Sequence, residues 1–196
     1  MSTAVSTKTS TWNIDPVHST AQFKVKHMMI SNVKGEFTKI TGKLVLDESN
    51  ITKSQVEAFI DATTINTREP DRDTHLKSAD FLDVEKFPNL SFKSTQISKN
   101  GENELSVEGD LTMRGVTRKV VFEVEGPSPP TKDPWGNTRI GLSATTRVNR
   151  KDFGLLYNKT LETGGVLVGD EVDVSIEVEL LRKLVPSKTA FSPSKE

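Results

Sequence analysis

Arg72 and His75 stand three residues apart in REPDRDTHLKSADFLDVEKFPNLSF, residues 68–92. On a helix that spacing puts a guanidinium and an imidazole on one side. There they can hold an anionic or carbonyl head group by charge-assisted hydrogen bonds. The competing reading is a solvated helix face on which Arg72 pairs with Asp71 or Asp73. RVNRKDFGLLYN (147–158) poses the same choice, because Asp152 can neutralise Arg147 or Arg150. The remaining histidines are His18, three residues after Asp15, and His27. Histidines with Asp15 would suit zinc, but no H-x-H or H-x-x-x-H pair fixes two ligands on one element, so no metal site is predicted. The chain has no cysteine, no G-x-S-x-G and no glycine-rich phosphate loop. No catalytic residue and no cofactor are therefore assigned.

Bulk properties narrow the classes further. With 26 basic and 27 acidic residues and a net charge of -1, the chain offers no field for nucleic acid. No window approaches the roughly 18 apolar residues of a membrane span, so no stable membrane insertion is expected. MSTAVSTKTST has no basic stretch followed by an apolar run. A cytoplasmic location is therefore expected, or a periplasmic one if the chain is a mature form.

The elements that must position these side chains read as strands. In EVDVSIEVELL (171–181), Val172, Val174, Ile176, Val178 and Leu180 alternate with Asp173, Ser175, Glu177 and Glu179, a period of two. Eight such runs are predicted near 19–27, 34–47, 54–65, 89–98, 104–113, 117–126, 138–148 and 171–182. Gly109 and Gly141 fall inside strand patterns and predict bulges or bends. Long strands bent by glycine suit a closing sheet, so an all-β, eight-stranded antiparallel barrel is predicted, with a two-sheet sandwich as the alternative. A short helical segment is expected near 71–79, with Asp71 or Asp73 as its N-cap. Phe87-Pro88 should then restore an extended backbone. Residues 1–10 and 184–196 have the composition of disordered tails, leaving a domain at 11–183.

An eight-stranded barrel is either filled or just wide enough for one small ligand. The predicted apolar lining comprises Phe23, Val25, Phe37, Leu44, Phe59, Phe81, Phe92, Leu111, Met113, Phe122, Leu142 and Phe153. The predicted polar rim comprises Asp15, His18, His27, Arg72, His75 and Arg150. The polar interruption at 68–88 is expected to act as the mouth and movable cover of the barrel.

Five blocks carry a resemblance: TWNIDPVHSTAQFKVKHMMISNVKGEF, DRDTHLKSADFLDVEKFPNLSF, GDLTMRGVTRKV, NRKDFGL and LVGDEVDVSIEVEL. Together, from about Thr11 to Lys183, they resemble the YceI-like family of polyisoprenoid-binding proteins. The resemblance implies an extended lipocalin-like barrel, often dimeric, that holds a long isoprenoid or similar lipid in an apolar tunnel without catalysis. The family's D-x-x-H-S falls on Asp15, His18 and Ser19, its strand histidine on His27, and its R-x-x-H on Arg72 and His75. The expected function is binding of a polyprenyl chain, prenyl phosphate or isoprenoid quinone, for transport or storage. Two alternatives are an enzyme acting on a prenyl lipid through histidine acid/base chemistry, and a filled barrel acting through surface interactions or as a homodimer.

Overall fold

The computed structural model describes residues 8–162 and 164–182. Its strands are β1 (Thr9–Ile14), β2 (Thr20–His27), β3 (Ser31–Phe37), β4 (Ile40–Asp47), β5 (Gln55–Asp61), β6 (Ile65–Asn66), β7 (Asn89–Lys99), β8 (Glu104–Met113), β9 (Val116–Glu125), β10 (Thr131–Lys132), β11 (Thr138–Asn149) and β12 (Val168–Arg182). One α-helix, α1 (Pro70–Lys77), interrupts them. The order β11-β9-β8-β7-β5-β4-β1-β12, closed by β12 pairing back to β11, makes an eight-stranded antiparallel barrel. β12 is long enough to have two neighbours on its other edge. It meets β1 at Leu180–Leu181 and β2 from Val168 to Glu177, and β3 and β6 continue the wall beyond β2.

The membership of the barrel differs from the sequence reading. The run expected at 34–47 is two strands, broken at Thr38–Lys39. β1 completes the ring, and it starts at Thr9, inside the span assigned to the N-terminal tail. Residues 1–7 and 183–196 lie outside the described residues. The irregularity expected at Gly109 is present: the β7–β8 register shifts between Ser94 and Gln96, opposite that glycine. A side chain at Gly109 would run into the Phe92 ring and the Lys93 carbonyl, so only glycine fits there. Gly141, by contrast, sits in unbroken β11–β12 pairing with no bulge.

α1 begins one residue earlier than predicted and is capped by neither aspartate. Pro70 occupies the first helical turn. The cap is therefore Glu69, whose carboxylate accepts from the Asp71 and Arg72 amides at 3.3 and 2.6 Å. Asp73 turns the other way and accepts from the Thr67 amide and hydroxyl at 2.8 and 2.5 Å. The helix sits against β6, at the barrel end where β12 starts.

Apolar packing falls into three clusters around the barrel axis instead of one core. On β12 the inward side chains change character along the strand. Val178 and Leu180 are buried, whereas Val172, Val174 and Ile176 are only half-buried. These three point inward yet are incompletely covered, because they face space and not other side chains.

Candidate functional site

That space is an interior cavity of about 270 Å³. Val168, Val172, Val174, Ile176, Val178 and Leu180 all line it. The twelve steps from Val168 to Leu180 span roughly 40 Å of strand, or roughly 30 Å along the axis of a tilted barrel. A cavity of this volume drawn out over that length is a narrow channel. Its wall is apolar apart from Gln22, Lys43, Ser54, Ser91, Thr146 and Arg150. Among the described residues no buried side-chain nitrogen or oxygen lacks a hydrogen-bond partner. Nothing polar therefore waits inside the channel for a ligand group to complete it.

Of the residues expected to line the tunnel, Phe23, Val25, Phe37, Leu44, Phe81, Phe92, Leu111, Met113, Phe122 and Leu142 face the cavity. Phe59 and Phe153 do not. Phe59 is 41% exposed on the outer wall, since Val56, Ala58 and Ile60 form the inward face of β5. Phe153 is packed at 1% exposure under a 3-10 turn, Arg150–Phe153, next to the cavity and not along it.

The polar residues split between the two ends of the barrel. At the helical end Leu76, Phe81 and Leu82, from α1 and the loop after it, close over the channel. Arg114, in the β8–β9 turn, fastens this cover by donating to the Ala79 carbonyl at 2.7 Å and the Gly154 carbonyl at 2.9 Å. His75 Nε2 lies 2.8 Å from Asp80 Oδ2, and its ring meets Phe81 and Tyr157 edge-on at 5.0 and 4.7 Å between centroids. Arg72 turns back to Thr67, donating from Nε to the hydroxyl at 2.8 Å and from Nη2 to the carbonyl at 2.9 Å. Asp71 and Asp73 are not its partners, and it does not line the cavity. His27 ends β2, paired with Val168 and Ser31, and also stands off the cavity.

Arg150 is the one rim candidate that reaches the channel. It is 4% exposed and donates to the carbonyls of Leu155, Gly169 and Val168, with Asp170 Oδ1 at 3.4 Å. Burial pushes its pKa down and Asp170 opposes that. With its donors spent on backbone, it pins the 150–155 segment to the start of β12.

Asp15 and His18 belong to the opposite end, nine or more residues further along β12 and outside the wall. Asp15 is buried beside Glu179, and its Oδ2 lies 2.9 Å from His18 Nδ1 and 2.6 Å from Arg139 Nη1. Arg139 also donates to Glu179 at 2.9 Å and to Asp133 at 2.9 Å. This guanidinium lowers the Asp15 pKa to about 2, against the opposing effect of burial, and His18 adds to the lowering. The three carboxylates in turn raise the pKa of Arg139. Asp15, His18 and Glu179 are close enough together to ligate a metal, but a cation already sits among them. Ser19 completes the joint, accepting from the Glu179 amide at 3.1 Å. Arg139, Arg114 and Tyr157 are not among the site residues expected from the sequence. The ion pair joining residues 15 and 139 spans 124 positions and leaves no local trace.

Residues 12–180 match the family model of the YceI-like domain. A UPF0312 protein of Staphylococcus epidermidis is 36% identical over 169 residues, 86% of this chain and 95% of that protein. The crystal structure of the Campylobacter jejuni YCEI protein superposes with a TM-score of 0.68 at 29% identity, covering 82% of this chain and 91% of the other. A polyisoprenoid binding domain from Saccharophagus degradans, implicated in plant cell wall breakdown, superposes with a TM-score of 0.64, covering 88% and 98%. At 12% identity that likeness concerns the fold.

Proposed function

The chain belongs to the YceI-like family, and from that premise we propose that it binds a long isoprenoid lipid in its channel, for carriage or storage and not for chemistry. The observation that carries this reading is the apolar cavity running along β12, faced by half-buried Val172, Val174 and Ile176. The Saccharophagus domain of the same fold, described as polyisoprenoid binding, supports the ligand class. Burying each methylene is worth about 0.8 kcal/mol. A few isoprene units therefore outweigh the several kcal/mol lost in association and ordering. The wall supplies affinity with little choice among chains of similar girth, so length selection falls to the channel itself.

Catalysis finds less support, because His18, His27 and His75 all stand off the cavity. Homodimerisation and a cytoplasmic place of action belong to the same proposal. No helix among the described residues is long and apolar enough to cross a membrane.

Organic extraction of the purified protein followed by mass spectrometry should yield a prenyl lipid or quinone. An empty extract, joined to no uptake of added prenol, refutes the reading. Ala144→Phe sharpens the test, since Ala144 faces the channel between Ile176 and Val124. It should weaken a chain of about six isoprene units at least ~10-fold, while a chain of about two still fits in one half.

A further inference from the structure

The β2–β3 hairpin breaks two local rules at one place. Met28 and Met29 occupy its turn with φ of 49° and 63°, and the His27 carbonyl accepts from the Ile30 amide at 3.1 Å. Two successive residues in the left-handed region favour Asn and Gly and are strained for side chains such as methionine. The same tip presents its apolar side chains to solvent: Met28, Met29 and Ile30 are 41%, 56% and 80% exposed. The Met28 amide bonds to Leu167, which ties the tip to the 156–167 loop. Wrong turn residues and exposed large apolar residues together mark a place where folding has been subordinated to a contact.

Its charged surroundings identify that contact. Lys26 lies against Gly169, Lys34 follows on β3, and Lys159 bonds through its carbonyl to the Leu167 amide. None of the three has an ion-pair partner among the described residues, whereas Lys24 is paired with Asp173 at 2.9 Å. Of the acids on the neighbouring strand, Asp170 is taken by Lys151 at 2.8 Å and Arg150 at 3.4 Å, and Asp173 by Lys24 at 2.9 Å and Arg147 at 2.6 Å. Glu171 stands between them on β12, while Glu162 and Glu36 stand in the loop and further down β3. The other large exposed apolar pair, Val17 and Trp135, stands instead beside Asp15, Asp133 and Glu179, with Arg139 already consumed by all three. Phe59 and Val121 are exposed singly on the outer wall.

We propose that the Met28–Met29–Ile30 tip, collared by Lys26, Lys34 and Lys159, docks the barrel on an anionic lipid bilayer. Apolar side chains enter the headgroup boundary while the lysines meet lipid phosphates. Phe23 and Val25, on the strand that carries the tip, line the channel, so docking brings the helical end of the channel to the bilayer. The purpose of docking rests on the lipid-carrying reading, but vesicle binding and prenol uptake are separate measurements.

The full chain should co-sediment with mixed phosphatidylglycerol–phosphatidylcholine vesicles, less so with added salt, and only weakly with phosphatidylcholine alone. Met29→Asp with Ile30→Asp should cut this at least ~10-fold. Met28→Asn with Met29→Gly relieves the turn strain, so it should raise the melting temperature and still lower vesicle binding. The proposal fails if the wild type stays in the supernatant, or if the Asn-Gly variant sediments like the wild type. It fails equally if either double variant dissolves a solution dimer, which would assign the tip to a second copy. Prenol uptake from solution should be unchanged in both variants. Its absence in the wild type alongside intact vesicle binding refutes the lipid-carrying reading alone.

Discussion

Each end of the barrel carries a histidine–aspartate pair at nearly the same distance, and the two pairs do different work. At the arginine end His18 and Asp15 are 2.9 Å apart, with the Asp15 side chain 9% exposed and gripped by Arg139. At the helical end His75 and Asp80 are 2.8 Å apart, with Asp80 56% exposed and no arginine bound to it among the described residues. The packing around the pairs differs in the same sense. Near Asp15, Trp12 and Ile140 are 1% and 3% exposed and neither lines the cavity. Near His75 the inward side chains of β12 are half-buried, and Leu76, Phe81 and Leu82 lie over the channel. One end is a locked joint and the other a fastened cover. Residue types alone did not distinguish them; burial and the third partner do.

Removing the lock should have the largest effect. Arg139→Met leaves three carboxylates, two of them buried, without their cation, and should cost about 3 kcal/mol at neutral pH by urea denaturation. Its pH dependence follows from Asp15, whose folded pKa of about 2 lies below its ordinary 3.8. Such a group stabilises the fold fully above the unfolded value, and the contribution disappears as pH falls through the folded one. Wild-type stability should thus drop between about pH 4 and pH 2, and the variant should drop less over that window. Equal slopes would mean that Arg139 does not hold Asp15 ionised.

At the helical end Arg72→Ala tests whether the cover also reads head groups. Arg72 spends its Nε and Nη2 donors on Thr67, itself 5% exposed. Their loss should cost about 1–2 kcal/mol of stability. Prenol and prenyl phosphate should then be weakened by the same factor. A selective loss of the phosphate would instead give Arg72 a direct ligand contact, and the helical end would be a recognition site as well as a cover.

The sequence made one of these ends far more legible than the other. The alternation on β12, the polar interruption, its short helix and the glycine opposite the β7 bulge all depend on near neighbours, so a local pattern reports them. β1 was harder to see because TSTWNI carries only Trp12 and Ile14 as large apolar residues. β5 misled because one large apolar residue, Phe59, stands on its otherwise polar outer face with Gln55, Glu57 and Asp61, and it outweighed the small Ala58 that actually faces the channel. The Arg139 joint was invisible for a different reason. Asp133 is local to the β10–β11 turn, but Asp15 and Glu179 come from the β1–β2 corner and β12, and all three converge on Arg139 only when the barrel closes. The hollow itself lies between these cases, since inward residues can be listed from the sequence while the space they leave is a property of the closed ring.

The smallest expected effect makes the same edit at both ends. Asp80→Asn removes a carboxylate that is already mostly solvated, and an exposed pair with histidine is worth little once water screens it. Its unfolding free energy should stay within about 0.5 kcal/mol of wild type. Asp15→Asn removes a buried carboxylate that Arg139, His18 and the Val17 amide all contact, and should cost several times more. The ratio of the two losses is the quantity to measure, because both edits replace an oxygen by a nitrogen on a histidine's partner. A ratio near one would mean that the third partner contributes nothing and that the two ends are fastened alike. A large ratio, with faster prenol exchange in Asp80→Asn alone, would place the moving part of the barrel at the cover, where a cheap contact can open without disturbing the joint that keeps the ring closed.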